Sequence, residues 1–170
     1  MGMDRGNVLV IENVHRLGTN AEAFRNALTQ QTAVSKVSFT ANKFPGTYES
    51  FLMRSTGSEG DHSVAGYYAD FDSQDVLKFE IKDGRYFSRD FLSDSNAVVI
   101  NEATSREFGF DRSEGQEILH SPNAYVFLRF HVIGIMKDFS FESYPRQSAA
   151  VSCIFRSRPF GHLVGSLRHE

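Results

Sequence analysis

The sequence predicts an α+β fold built on a mixed sheet, and three stretches carry that expectation. Residues 97–109 read AVVINEATSREFG, a β-branched apolar run that passes into a short capped helix with almost no loop. Residues 8–40 hold two strand-like runs with an amphipathic helix pattern between them. Residues 124–138 form the longest apolar region of the chain and alternate in strand phase.

Taken in order, Val8–Ile11 (VLVI) is apolar throughout and suits a central strand. Thr19-Asn20-Ala21-Glu22 fits a capping box, in which the Thr19 hydroxyl bonds the Glu22 N–H and the Glu22 carboxylate reaches back. The helix continues to Gln30, with Ala21, Phe24, Ala27 and Leu28 on one face. Val34–Thr40 is the second strand, completing β-α-β with parallel strands and a right-handed crossover. Pro45-Gly46 turns the chain and marks a boundary. Tyr48–Arg54 and Val64–Phe71 are expected to pair across the polar, Gly-rich loop Ser55–His62. Ser73–Lys78 is a helical turn with Val76 and Leu77 inward, Phe79–Ile81 a short strand, and Asp83-Gly84 a turn. Gly84-Arg85-Tyr86-Phe87 then leads into Ser88–Ser95, polar and acidic, with Phe91 and Leu92 as anchors.

In the central unit, Asn101 offers a side-chain oxygen to the free N–H groups of the helix, and Glu102 sets negative charge at its positive end. Ala103 and Phe108 give it an apolar side, and Gly109 is a left-handed stop. Asp111–Gly115 turns into a short strand Gln116–Leu119, and Ser121-Pro122-Asn123 turns again. The long strand that follows is expected to bulge at Gly134. Val126, Leu128, Phe130 and Val132 lie on one side of it, and Tyr125, Phe127, Arg129 and His131 on the other. Ala149–Phe155 and His162–Leu167 are the last strands, around a Pro159 turn.

Composition narrows the function classes. The 170 residues are 41 % apolar and 23 % charged, enough for a real core in one domain or two small subdomains. With 18 basic and 21 acidic residues the net charge is −3, so no basic field attracts nucleic acid or an anionic membrane. Sixteen Phe and no Trp point to aromatic bulk in the core. Cys153 is the single cysteine, which excludes an intrachain disulfide and a Cys-rich metal site and leaves the compartment undecided. No run of about 18 apolar residues is present, and Met1–Val10 is not a signal peptide. The abrupt start, MGM before DRGN, reads as a piece of something longer.

The motifs of common chemistries are missing. A phosphate-binding loop needs G-x-x-x-x-G-K-[ST], and no such string occurs. Gly57-Ser58-Glu59-Gly60 falls one residue short of a nucleophile elbow. Asp70–Asp75 (DFDSQD) has the acidity of a calcium loop, but Asp75 and Ile81 stand where that loop needs Gly and Glu. His15, His62, His120, His131, His162 and His169 form no zinc pattern, and His131 reads as a packed or edge histidine. Asp138 and Glu142 flank Phe139-Ser140-Phe141; the spacing suits a hydrogen-bonded turn better than an acid–base pair. Arg85 is placed to pair with an acid such as Asp90.

Three segments, taken together and in this order, resemble a known family: Gly84–Phe87, Ala97–Gly109 with Asn101-Glu102-Ala103, and Val132–Ser143. They are similar to the MacB-like periplasmic core domain of FtsX-like ABC transporter permeases, most of all those of Bacteroidetes. The likeness covers most of Asn7–Leu167. It implies a porter-like β-α-β subdomain (a ferredoxin-like half) over residues 3–45 and 97–170, and an inserted β-rich portion over 46–96. It implies a non-catalytic periplasmic domain of an inner-membrane protein, without cofactor or metal. The expected partners are the transmembrane helices of the permease, a separate cytoplasmic ATP-binding subunit or domain, and a periplasmic adaptor or substrate protein. ATP hydrolysis elsewhere would move the domain, which would pass that motion on. Gly84, Arg85, Phe87, Asn101, Glu102, Gly109, Gly134, Asp138, Phe139 and Glu142 then read as scaffold, with no catalytic residue carried over. Family members continue past the last strand here with a further helix and strand, so the porter-like half is expected to be incomplete, leaving strand edges that could pair in a homodimer.

Two other readings remain. A small hydrolase would use Asp138, Glu142 or a histidine in a deep pocket. A small-molecule sensor would line its site with Tyr67, Tyr68 and neighbouring Phe residues.

Overall fold

The structure is a computed structural model of the chain and describes residues 8–41, 49–58, 60–123, 126–138, 152–156 and 162–167. It is mixed α and β, with ten strands joined in one mixed sheet. The strands are β1 (Val8–Ile11), β2 (Val34–Thr40), β3 (Glu49–Ser55), β4 (His62–Ala69), β5 (Ile81–Gly84), β6 (Ala97–Asn101), β7 (Glu117–Asn123), β8 (Val126–Met136), β9 (Ser152–Arg156) and β10 (His162–Leu167). The helices are α1 (Ala21–Thr29), α2 (Ser73–Leu77) and α3 (Glu102–Glu107).

Two parts share the sheet. In the first, β10 lies between β1 and β2 and runs antiparallel to both, so β1 and β2 are parallel to each other without touching. Helix α1 covers one face of these three strands, burying Val14, Val37, Phe39 and Leu163 with Phe24 and Leu28 packed against them. In the second part six strands close a ring: β4 pairs with β3, β3 with β7, β7 with β8, β8 with β6, β6 with β9, and β9 with β4 again. The last of these contacts is parallel and joins residues nearly ninety apart in sequence (Ala65 with Ser152). Phe51, Met53, Val64, Val98, Ile100, Ile118, Val132 and Ile135 fill the ring, together with Phe108 beyond α3.

A second core lies outside the ring. It gathers Tyr67 and Ala69 of β4, Val76 and Leu77 of α2, Phe79, Tyr86, Phe87, Ala97 and Val99 of β6, and Met136. Strand β6 therefore separates two cores, Val98 and Ile100 facing one and Ala97 and Val99 the other. A strand wetted on neither face has no reason to alternate, which is why AVVI is apolar throughout. The bulge at Gly134 is present: Val98 pairs with Val132 but Val99 with Gly134, leaving Ile133 unmatched.

Several local expectations are corrected. Thr19 does not cap α1; it lies in a 3-10 turn (Val14–Asn20), and the residue before the helix, Asn20, has helical angles (φ −81°, ψ −4°) without a side-chain cap. A capping box needs an extended residue at that position. Asp83-Gly84 does not turn the chain. It ends β5, where Gly84 pairs with Gly134, and the short strand lies at Ile81–Gly84 rather than Phe79–Ile81. Ser121-Pro122-Asn123 continues β7, because a register shift between His120 and Asn123 absorbs the proline that cannot donate to the ladder. Leu92 is no anchor: it is 92 % exposed, and the buried residue of that turn is Asp94. The alternation of β8 fails at its start, since Val126 and Leu128 are exposed like Phe127. Pro45-Gly46, Pro159 and the first residues of Ala149–Phe155 lie outside the described residues.

Candidate functional site

The polar residues that the structure draws together form three braces. The first is built on the start of α3. Asn101 is extended (φ −91°, ψ 170°), and its side-chain oxygen accepts from the Thr104 N–H at 2.9 Å and the Thr104 hydroxyl at 2.7 Å. The Ala103 N–H donates instead to Asp138 Oδ1 at 2.8 Å, while Asp138 Oδ2 accepts from Arg106 at 2.8 Å. The Asp138 N–H donates to Glu102 Oε2 at 3.3 Å, and Lys82 of β5 bonds the other Glu102 oxygen. The Lys82 ammonium and then the Asp138 N–H hold the Glu102 carboxyl below its usual range. The cluster ties the ends of β5, β6 and β8 to one helix.

The second brace is Arg85 with Asp94. The guanidinium forks onto the carboxylate at 2.7 and 2.8 Å, and the Ser88 N–H adds a third bond at 2.8 Å. Phe91 lies over the Arg85 guanidinium at 4.0 Å. Asp90, the partner expected from sequence, bonds only its neighbour Ser88. It is too close in the turn, whereas the 3-10 turn carries Asp94 back beneath Arg85. Gly84 sets the approach: at φ +72° it lies so near β8 that a Cβ would sit under 3.0 Å from the Ile133 carbonyl and from Ser113 Oγ. A Cβ on Gly134 would strike the Arg85 carbonyl in the same way. Asp83, beside it, accepts from the Ser113 hydroxyl and N–H at 2.6 and 2.7 Å, which holds its carboxyl low. Phe87 is in the outer core, and Gly109 (φ +69°) ends α3, donating to the Arg106 carbonyl at 3.2 Å. Phe139 and Glu142 lie outside the described residues.

The third brace lies between the two parts of the fold, at the DFDSQD run that the sequence presents only as an imperfect calcium loop. Strands β2 and β4 share one pair, Thr40 with Ala69. Beside it Asp70 is buried and accepts from Ser38 Oγ at 2.6 Å and the Phe39 N–H at 2.9 Å. Arg25 of α1 bonds Asp72 and approaches Asp70 at 3.5 Å, and Arg89 reaches Asp72 at 2.7 Å. Burial pushes the Asp70 carboxyl up despite these donors. For Asp72 burial acts the same way but the Arg89 and Arg25 interactions outweigh it, and its carboxyl is held low. The acidic spacing is visible in sequence; the arginines, 47 and 17 residues away, are not.

Among the described residues no reactive groups gather around a cavity. Tyr67 points into the outer core and Tyr68 packs against the ring core, so adjacent tyrosines on opposite faces of β4 line no common site. His131 is exposed and lies 3.2 Å from Glu117. Among the described residues no group of His, Cys, Asp and Glu is placed to hold a metal ion. An apolar crevice between α1 and its sheet, lined by residues including Leu9, Leu28 and Leu163, has a volume of about 20 Å³, little more than one water molecule occupies.

A family model described as the MacB-like periplasmic core domain matches residues 3–156. The chain belongs to this family. The MacB-like domain is similar in fold to the periplasmic region of MacB from Actinobacillus actinomycetemcomitans, with a TM-score of 0.65 and 13 % identity over 99 % of this chain and 78 % of that one. It is also similar to the extracellular domain of the noncanonic ABC-type transporter YknZ from Gram-positive bacteria, with a TM-score of 0.61 and 17 % identity over 96 % of this chain and 83 % of that one. No curated protein matches the sequence. The MacB-like domain is thus an extracytoplasmic, periplasmic part of an ABC transporter permease. Permeases of this kind work with ATPase subunits.

Proposed function

We propose that this MacB-like domain is a passive lever: it takes up motion of the permease's membrane helices, driven by ATP hydrolysis in the cytoplasm, and delivers it to a substrate or partner protein. It performs no catalysis. The proposal keeps the division into a porter-like portion (3–45 and 97–170) and an inserted β-rich portion (46–96), and treats Gly84, Arg85, Asn101, Glu102, Gly134 and Asp138 as the residues that stiffen it. The observation that carries the reading is a different seam, the junction between the three-stranded part (β1, β10, β2) and the six-stranded ring. A single strand pair joins them there, yet it is braced by Arg25, Arg89, Asp70 and Asp72 and by a core that includes Val8 and Val10 of β1. Such a joint transmits force without bending, because each carboxylate is fixed by more than one element.

The test uses the intact permease with its ATP-hydrolysing subunit in proteoliposomes. Thr40 and Ala69 form a non-hydrogen-bonded pair, since the Ala41 and Asp70 N–H groups bond the Tyr68 and Phe39 carbonyls on either side, a spacing that accepts a disulfide. Locking the joint with Thr40→Cys and Ala69→Cys should leave both ATP turnover and transport intact. Loosening it with Arg25→Ala and Asp72→Ala should keep ATP turnover and lose transport. Transport blocked by the lock, or undisturbed by the loosened joint, would overturn the lever.

A further inference from the structure

Of the three helices, α1 alone buries no residue. Ala21, Phe24 and Leu28 pack against the sheet but stay partly exposed. The crevice beside Leu28 shows that the fit is incomplete, and Leu9 and Leu167, which also line it, are 51 % and 38 % exposed. No side chain caps the start of the helix, and its nine residues make a marginal helix once away from a supporting surface. The chain enters α1 through Gly18, whose angles (φ 52°, ψ −124°) break the helical path in a region that L side chains rarely adopt. Before that kink Val14 is buried in the core. The kink therefore parts a fixed residue from a loosely seated helix.

Arg25 is the residue that fastens this helix to the other side of the joint. Its side chain is 15 % exposed, lies over the Phe39 ring at 5.4 Å, bonds Asp72 and approaches Asp70 at 3.5 Å. Each charged group of the latch also has a second partner. Asp72 keeps Arg89, whose nitrogens reach its two oxygens at 2.7 and 3.2 Å. Asp70 keeps Ser38 Oγ, the Phe39 N–H and, at 3.1 Å, the Asp72 N–H. Arg25 itself lies 3.7 Å from Glu22, one turn back on its own helix. The latch can part without stranding a carboxylate or a guanidinium, so opening it carries little of the penalty of an unmade bond. We infer that α1 is a release catch: it leaves its sheet as a unit, hinged at Gly18, while the ring stays folded, and in leaving it withdraws Arg25 from the joint and slackens it. The catch rests on the lever reading, in which a stiff joint passes motion on, and decides when that joint is stiff.

Native-state hydrogen exchange of the 170-residue chain tests the catch. The amides of Arg25 to Thr29 should exchange at least about 100-fold faster than those of Val98 to Ile100. Two variants then separate the openings. Ile118→Val weakens the ring core and should speed Val98 to Ile100 by roughly fivefold while leaving Arg25 to Thr29 at their original rate. Arg25→Ala should speed the rest of α1 by about tenfold. The Ala41 and Asp70 amides, which bond across the joint, should follow α1 in both variants. If Ile118→Val speeds α1 as much as β6, the helix opens only with the ring and the catch is overturned. It is also overturned if Arg25→Ala leaves α1 unchanged, or if the joint amides follow β6 instead. These rates are read on the chain by itself, whereas transport in proteoliposomes judges the lever, so a failure of one is told from a failure of the other.

Discussion

Asp94 and Asp90 stand four residues apart in the same polar stretch and both bond Ser88, yet only Asp94 is withdrawn from solvent and bonded by Arg85. The Arg85 side chain stays 36 % exposed, so losing Asp94 strands mainly the Ser88 N–H and the covered side of the guanidinium, at about 2 kcal/mol. Asp94→Ala should therefore lower the unfolding free energy by that order, and Asp90→Ala should stay within about 0.5 kcal/mol in the same urea titration. Carboxylates also set the response to acid, in opposing directions. Asp72, Asp83 and Glu102 have lowered values in the fold, so they stabilise it above their ordinary range and that contribution is lost as pH falls through the lowered values. Asp70 has a raised value and holds its proton more tightly folded than unfolded, so it opposes the loss. Unfolding curves between neutral pH and about pH 3 should show Asp83→Asn flattening the acid decline and Asp70→Asn steepening it. The identity of these acids was legible in sequence, but their roles were not. An ion pair is a tertiary fact, and nothing in DFDSQD points to arginines on α1 or beyond β5.

At the scale of elements, local patterns were readable wherever one element satisfied itself. The strand and capped helix at 97–109, the pairing of β3 with β4, and the inward Val76 and Leu77 of α2 all rest on neighbours in sequence. Apart from the Thr19 cap, overruled by the backbone angles of Asn20 beside it, the failures fall where a distant partner decides. Gly84 looked like a turn because it follows Asp83. Its positive φ serves instead to let β5 approach β8. A graded series separates the two uses of glycine. Gly109→Ala meets nothing within 4 Å and should cost about 1 kcal/mol for its backbone angle alone. Gly84→Ala and Gly134→Ala should each cost roughly 2–4 kcal/mol, since the obstruction is backbone carbonyl that has nowhere to move. Thermal melting of the three variants checks the order.

For the whole molecule, the α+β class and mixed sheet were legible from the rhythm of the segments, but the ring was not. Its closing contact joins β4 to β9 in parallel, and no hairpin signal announces a pairing of that separation. Closure predicts a sharp gradient in hydrogen exchange. Amides of Val98 to Ile100, hemmed by β8 and β9 and by two cores, should exchange only through global unfolding, while those of Phe127 and Arg129, turned to the side of β8 where β6 begins only opposite His131, should exchange orders of magnitude faster. Uniform protection along β8 would contradict that open side.

The late strands β9 and β10 both enter between partners that come much earlier in the chain, β9 between β4 and β6 and β10 between β1 and β2. Everything from β1 through β8 of this module is thus synthesised before either gap can be filled. Until then the nascent module presents raw edges on two sides, and a product stopped short of Ser152 stays in that state. Versions of this module cut before Ser152 should accordingly yield insoluble or proteolysed material rather than a smaller folded piece.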